Sequence, residues 1–327
     1  MKTAYEWKSG FAHAAQEYIA LKRQAGMKFE TQERCLRHFD AFCRRNGFEG
    51  DVLTKAITHE FIYDKDERPV SHYNKEVVMR DFGKYMDGRG YNAYIAEVRT
   101  KIPRCKFIPH IFTDDEIRRL FMAIDNYPPT TSSYRNTVDP VLFRFLYGTG
   151  VRISEALNIV IKDFDAQSGT VTIRAAKNMK DRLLPIAGSL NKRIIDLIDG
   201  FHRHSDEGMW LFPGLHNGIM GQMDKSTAYN HFRDYLIMAD IPHTKGGPRI
   251  HDFRHGLDVK CLKDWVLADN DLNVMLPYLA AYMGHSDFRA TQYYLRLTAD
   301  LYPDILRRTE TEFGYIIPES GDYYYEA

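Results

Sequence analysis

Five short segments in the second half of this sequence carry side chains suited to work on a phosphodiester. In Gly148-Thr-Gly-Val-Arg-Ile-Ser-Glu155, a glycine turn leads into Arg152 at a predicted helix start. An arginine there can hold an anion beside backbone N–H groups that lack an intrahelical acceptor. Arg174, Lys177, Lys180 and Arg182 fall within nine residues, opposed only by Asp181. A cationic β-ribbon of this kind can enter a DNA groove or present a mobile lysine to a phosphate. His251-Asp-Phe-Arg254-His255 follows the loop Gly246-Gly247-Pro248. His251 and Arg254, three apart, share a helix face and can converge on one phosphoryl group. Gly284-His285-Ser-Asp287 supplies another histidine, and Thr291-Gln-Tyr-Tyr294 supplies a phenol. With an ordinary pKa of about 10, a tyrosine needs a base or a positive field to act as a nucleophile.

Each segment taken alone has a plainer reading. Arg152 and Glu155 fit a surface ion pair, the ribbon fits a solvated turn, and His285 fits a cap or core histidine. Any one tyrosine among 21 is most often packed. His251 and His255 stand at i, i+4, as zinc ligands do. The glutamate of the HExxH pattern is missing between them, so no metal site is expected.

The elements that must position these groups follow from hydrophobic spacing and breakers. Residues 4–25 place Phe11, Ala14, Ala15, Tyr18 and Ile19 at helical spacing before Gly26, and residues 31–46 repeat the pattern before Gly47. Polar stretches near Asp64–Pro69 and Asp87–Asn92 delimit further short helices. Pro103 and Pro109 break the basic segment 101–112, which carries Lys101, Arg104 and Lys106 and reads as a linker. Thr113-Asp-Asp-Glu116 is a capping box that opens the next helix. A helix over Pro140–Tyr147 ends at Gly148–Gly150, and Arg152 opens a helix over Ile153–Ile159. Val171–Ile173 and Leu183–Ile186 flank a polar loop and predict a β-hairpin. Helices are predicted at about 190–203, 225–240, 254–268, 274–283 and 287–297. The fold class is mainly α with a small β-sheet.

Composition sets the outer limits. The chain has 327 residues, 44 Lys+Arg against 44 Asp+Glu, and 44% hydrophobic residues. These are the proportions of a globular protein of about two domains. A net charge of zero argues, at first sight, against nucleic acid as a partner. Divided, it does not: residues 1–110 hold 20 basic and 15 acidic side chains, and the remainder holds 24 and 29. No stretch approaches the length of a membrane-spanning helix, and no apolar region follows Met1–Gly10 as a signal peptide requires. Cys35, Cys43, Cys105 and Cys261 form no CxxC pair, and reduced thiols in a cytoplasmic protein are expected.

Together, the motifs TGVRISEAL (149–157), AKNMKDRLLPI (176–186), HDFRH (251–255) and GHSDFRATQYY (284–294) resemble the catalytic domain of the tyrosine recombinases, or phage integrase family. The nine-residue interval from His285 to Tyr294 is the most specific of these features. The resemblance covers about residues 111–300, while the N-terminal helical half carries no diagnostic motif.

The resemblance implies a site-specific DNA recombinase of integrase or transposase type. Tyr294 would attack the scissile phosphate, form a 3′-phosphotyrosyl link and free a 5′-hydroxyl. Arg152 and Arg254 would hold the non-bridging oxygens through planar guanidinium forks. Lys177 would protonate the leaving oxygen, His251 would take or order the tyrosine proton, and His285 would donate to the phosphate. Glu155 would orient Arg152 from behind. Ala176 and Asn178 stand where family members often have glycine, which leaves Lys180 as the alternative acid. Tyr293 neighbours the nucleophile, but adjacent helical residues point about 100° apart, and the family interval selects Tyr294. No cofactor is implied, neither ATP nor metal.

The resemblance also implies a layout. Residues 1–100 would form a helical core-binding domain, 101–112 a basic linker, 113–300 the catalytic domain, and 301–327 a tail that either docks on a neighbouring protomer or is a frayed acidic terminus. The two domains would form a C-shaped clamp on double-stranded DNA, with a dimer per site and a homo-tetramer on two sites. Lys101, Arg104, Lys106, Arg174, Lys180 and Arg182 are the candidate DNA contacts, and no membrane is involved. The location implied is the prokaryotic cytoplasm, at the nucleoid. Two rival functions share parts of the pattern: a type IB topoisomerase or telomere resolvase, and a non-catalytic DNA-binding accessory protein.

Overall fold

The computed structural model describes residues 5–63, 67–102, 109–174, 181–244 and 247–284, which fall into two compact units, Met1–Cys105 and Lys106–Ala327. The described residues of the first unit form four helices: α1 (Ala12–Gln24), α2 (Glu30–Arg45), α3 (Lys55–Tyr63) and α4 (Pro69–Gly88). Their apolar faces meet around Phe39, whose ring lies 5.1 Å from both Phe11 and Phe61 and 6.5 Å from Phe82.

The first helix starts eight residues later than the apolar spacing suggests. The buried carboxylate of Asp40 accepts hydrogen bonds from the Ser9 hydroxyl (2.7 Å), the Ser9 and Lys8 amides and the Tyr5 hydroxyl (2.8 Å). That pins residues 5–9 outside the helix. Gly10 fits because any Cβ there would lie 2.4 Å from the Gly50 carbonyl oxygen. Near the other end of the unit, buried Glu76 collects the Tyr63 hydroxyl (2.6 Å), the Arg99 and Thr100 amides and the Thr100 hydroxyl. It fastens the chain leaving the unit to α4, which at 20 residues is not one of the short helices expected.

The second unit begins at α5 (Asp114–Asp125), with the Thr113–Glu116 capping box formed as expected. Then come α6 (Arg135–Thr149), α7 (Ile153–Ala156), strands β1 (Phe164–Asp165), β2 (Thr170–Ile173) and β3 (Arg182–Pro185), and α8 (Gly188–Phe201). The three strands form an antiparallel sheet in the order β1-β2-β3, with Thr172 opposite Leu183 and Ile173 opposite Arg182. A second hairpin, β4 (Pro213–His216) with β5 (Ile219–Gln222), precedes α9 (Lys225–Met238), α10 (Ile250–Leu267) and α11 (Leu272–Met283). The core gathers Phe143, Phe145, Phe212, Phe232, Tyr235 and Phe253. Among the described residues, no helix is long and apolar enough to cross a membrane.

Several boundaries differ from the sequence reading, each for a local reason. Helix α6 begins before Pro140 because the Tyr134 carbonyl already accepts from Thr137 and Val138 (3.0 and 2.8 Å). Helix α7 stops at Ala156 because the chain beyond it pairs with residues 209–211, Leu211 donating to Ile159 and Ile161 to Met209. Helix α10 begins at Ile250 because buried Asp252 accepts the Arg249 amide (2.7 Å). The helix expected at 287–297 lies outside the described residues.

Candidate active site

The site grows from two helix ends. Helices α6 and α11 both terminate at a glycine in the left-handed region, Gly150 at φ 61° and Gly284 at φ 67°. Glycine tolerates this conformation, and it turns the carbonyls of the last turn outward. Arg254, on the second turn of α10 and 3% exposed, donates to both ends: Nη1 to the Gly150 carbonyl and Nη2 to the Met283 carbonyl, each at 2.8 Å. Helix C-termini carry partial negative charge, which suits a buried guanidinium donating to them. Space around Gly150 is full, since a Cβ would meet Met283 Cε at 2.8 Å and Leu257 Cδ2 at 3.0 Å.

Two residues past Gly150, Arg152 caps α7. Its Nη1 donates to Glu155 Oε1 (3.0 Å), and Glu155 Oε2 accepts the Arg152 amide (3.1 Å). Arg182 approaches the same carboxylate from β3 as a fork, Nη2 to Oε2 at 2.9 Å and Nη1 to Oε1 at 3.3 Å. Burial alone would raise the Glu155 pKa, but Arg182 and then Arg152 outweigh it and hold the carboxyl below its usual range. Glu155 is therefore ionised, and it fixes the Arg152 side chain from one side.

His251 completes the described part of the site. Burial first, then the charges of Arg254, Arg249 and Arg152, push its pKa down to about 4. Near neutral pH the ring is uncharged and carries a nitrogen able to accept a proton, although it stands among guanidiniums. The buried ring of His255 lies perpendicular to it at 4.6 Å. Among the described residues, no group of three or more His, Cys, Asp or Glu side chains is arranged to hold a metal ion.

The structure thus brings Arg152, Glu155, His251 and Arg254 together. Lys177, Lys180, His285, Tyr294, Arg104 and Lys106 lie outside the described residues. Lys101 is exposed, and Arg174, half exposed at the end of β2, is paired with Asp163. Arg182, a candidate DNA contact, pairs with Glu155. It is 13% exposed and turned in toward Glu155. Strand alternation is the reason: Leu183 is 65% exposed and Leu184 fully buried, so Arg182 shares the inward face.

The model of the family described as the phage integrase family matches residues 110–300, a span that includes Arg152, Glu155, Lys177, His251, Arg254, His285 and Tyr294. The chain belongs to that family. It is a tyrosine recombinase, an enzyme of site-specific recombination and integration. Among its relatives, the putative integrase/recombinase y4rB of Sinorhizobium fredii is 29% identical over 322 residues, covering 92% of this chain and 98% of y4rB. The tyrosine recombinase XerA of Pyrococcus furiosus is 26% identical, covering 84% of this chain and 87% of XerA. In fold, the chain is similar to XerH site-specific recombinase, crystallised on its difH substrate, with a TM-score of 0.61. That likeness covers 86% of this chain and 80% of XerH at 18% identity.

Proposed function

We propose that this recombinase cleaves and rejoins double-stranded DNA at specific sites through a 3′-phosphotyrosyl intermediate. The observation that carries the reading is the pairing of Arg152 and Arg254 around a histidine that burial and their own charge keep neutral. Tyr294 Oη attacks the phosphorus while His251 accepts its proton. The 5′-oxygen leaves with a proton from Lys177, or from Lys180 in its place. Attack by a 5′-hydroxyl on the phosphotyrosine reverses these transfers and reseals the strand. The transition state places more charge on the non-bridging oxygens than the ground state does, so fixed guanidiniums and His285 stabilise it selectively. The covalent link keeps the phosphodiester energy, and the positive side chains do the work that metal ions do in many nucleases. Neither ATP nor a metal ion is called for.

The helical unit and the catalytic unit both grip DNA, with Lys101, Arg104 and Lys106 crossing it between them. A dimer occupies each site and a tetramer forms on two, in a prokaryotic cytoplasm at the nucleoid. Residues 301–327, with six Tyr or Phe, dock on a neighbouring protomer. Covalent trapping on DNA from the native genomic neighbourhood tests the reading. The wild type should leave a 3′-phosphate adduct that resists chelator, and Tyr294→Phe should leave none. An adduct surviving in Tyr294→Phe refutes the nucleophile. Supercoil relaxation without transfer between two marked duplexes selects a topoisomerase instead.

A further inference from the structure

Glu155 lies between two guanidiniums, and only Arg152 has a part in the reaction proposed above. Arg182 holds both carboxylate oxygens, at 2.9 and 3.3 Å, whereas the Arg152 side chain reaches Oε1 through Nη1 alone. The cluster of two arginines and one carboxylate carries a net charge of +1. Without Arg182, Arg152 and Glu155 would form a neutral pair, and a phosphate would compete with the carboxylate for one fork.

The position of Arg182 ties three segments together. It opens β3, just beyond the ribbon loop that holds Lys177, and faces Ile173 across the sheet. Its partner Glu155 sits on α7. Its guanidinium packs under the end of α11, where a Cβ on Gly284 would lie 2.8 Å from Nη1 and 2.9 Å from Cζ. Stability does not account for this arrangement. Buried ion pairs are weak stabilisers relative to apolar packing. Moreover, the Arg182 Nε–H is buried with no acceptor among the described residues, which is a further cost.

We propose that Arg182 is a positioning residue: by carrying the charge of Glu155 it leaves the Arg152 fork to the scissile phosphate, and it fixes the ribbon strand to the turn at Arg152. This rests on reading Arg152 as a phosphate-holding group.

The test compares wild type, Arg182→Met and Arg182→Met with Glu155→Gln. One assay is single-turnover cleavage of a duplex bearing the trapped site, and the other is titration with inorganic phosphate. Arg182→Met should slow cleavage about 10- to 100-fold at saturating DNA, as a misplaced catalytic group does, with little change in DNA affinity. Adding Glu155→Gln should restore much of the rate and of the phosphate affinity, because the net charge returns to +1. A deficit confined to DNA affinity would make Arg182 a DNA contact, and a double variant no faster than Arg182→Met would make it plain structural support. Either outcome overturns the proposal. Arg182→Gln, which keeps hydrogen bonds but not charge, stands in if Arg182→Met does not fold, with the same order expected. If the wild type forms no adduct at all, the reading of the reaction fails separately. The phosphate titration still decides, and equal phosphate affinity in wild type and Arg182→Met overturns this inference.

Discussion

Acidification should unmask the strain on His251. In the folded chain its pKa is pushed down to about 4 by burial and then by Arg254, Arg249 and Arg152; an unfolded histidine titrates at about 6.5. Between those values the unfolded chain binds a proton that the folded chain refuses, so stability falls as pH falls. The contribution is intact above about pH 6.5 and gone below about pH 4, a total of about 3 kcal/mol. Between pH 7 and pH 5 the loss is about 2 kcal/mol. Urea unfolding of wild type and His251→Gln at pH 7, 6 and 5 isolates this share, since the other histidines are common to both proteins. Wild type should lose about 2 kcal/mol more than the variant over that range. NMR of the His251 ring should place its midpoint near 4, and Arg152→Gln should move it upward. Equal pH dependence in the two proteins, or a wild-type midpoint at 6 or above, would refute the account of a neutral proton acceptor among guanidiniums.

Two further substitutions probe the supports. Gly150→Ala forces a side chain into the left-handed region at φ 61° and against Met283 Cε, only 2.8 Å away. It should cost at least about 1–2 kcal/mol in chemical unfolding, and adduct yield should drop because the Gly150 carbonyl no longer seats Arg254. Glu76→Gln should cost about 1–3 kcal/mol in the N-terminal unit, since the carboxylate receives hydrogen bonds from Tyr63, Arg99 and Thr100. Burial opposes the Glu76 charge, but these donors hold its pKa below the usual range. Wild type should therefore lose this stability as pH falls through the depressed pKa, and Glu76→Gln should show no such acid limb in a urea series.

What the sequence made legible was whatever depends on short intervals. The Thr113–Glu116 cap, the glycine stop after α6, the β2–β3 pairing and the shared face of His251 and Arg254 are all local patterns, and the structure has each of them. Features that depend on distant partners were not legible. Residues 5–9 carry helical spacing, yet Asp40, more than 30 positions away, holds them out of the helix. The inward turn of Arg182 was not legible because Leu183 and Leu184 are equally apolar, so alternation alone does not say which of them turns inward. The β4–β5 hairpin carried a readable signal that the hydrophobic spacing obscured. Its turn is Asn217-Gly218, with φ of 50° and 78°, a pair that favours tight hairpin turns.

The zero net charge takes on a different meaning once individual pairs are placed. Several carboxylates of the catalytic unit are committed to single arginines: Asp163 to Arg174, Asp125 to Arg144, and Asp234 to Arg135. These pairs raise the counts of both signs and leave no net field at a phosphate. At the candidate site the ratio changes, with Arg152 and Arg182 sharing one Glu155. The two arginines on one carboxylate leave a net positive charge where a phosphodiester would bind. Phosphate binding responds to the field at the contact, and the whole-chain sum governs mainly long-range, non-specific attraction. A neutral total with a positive site suits an enzyme that must ignore most DNA and act on a few positions in it.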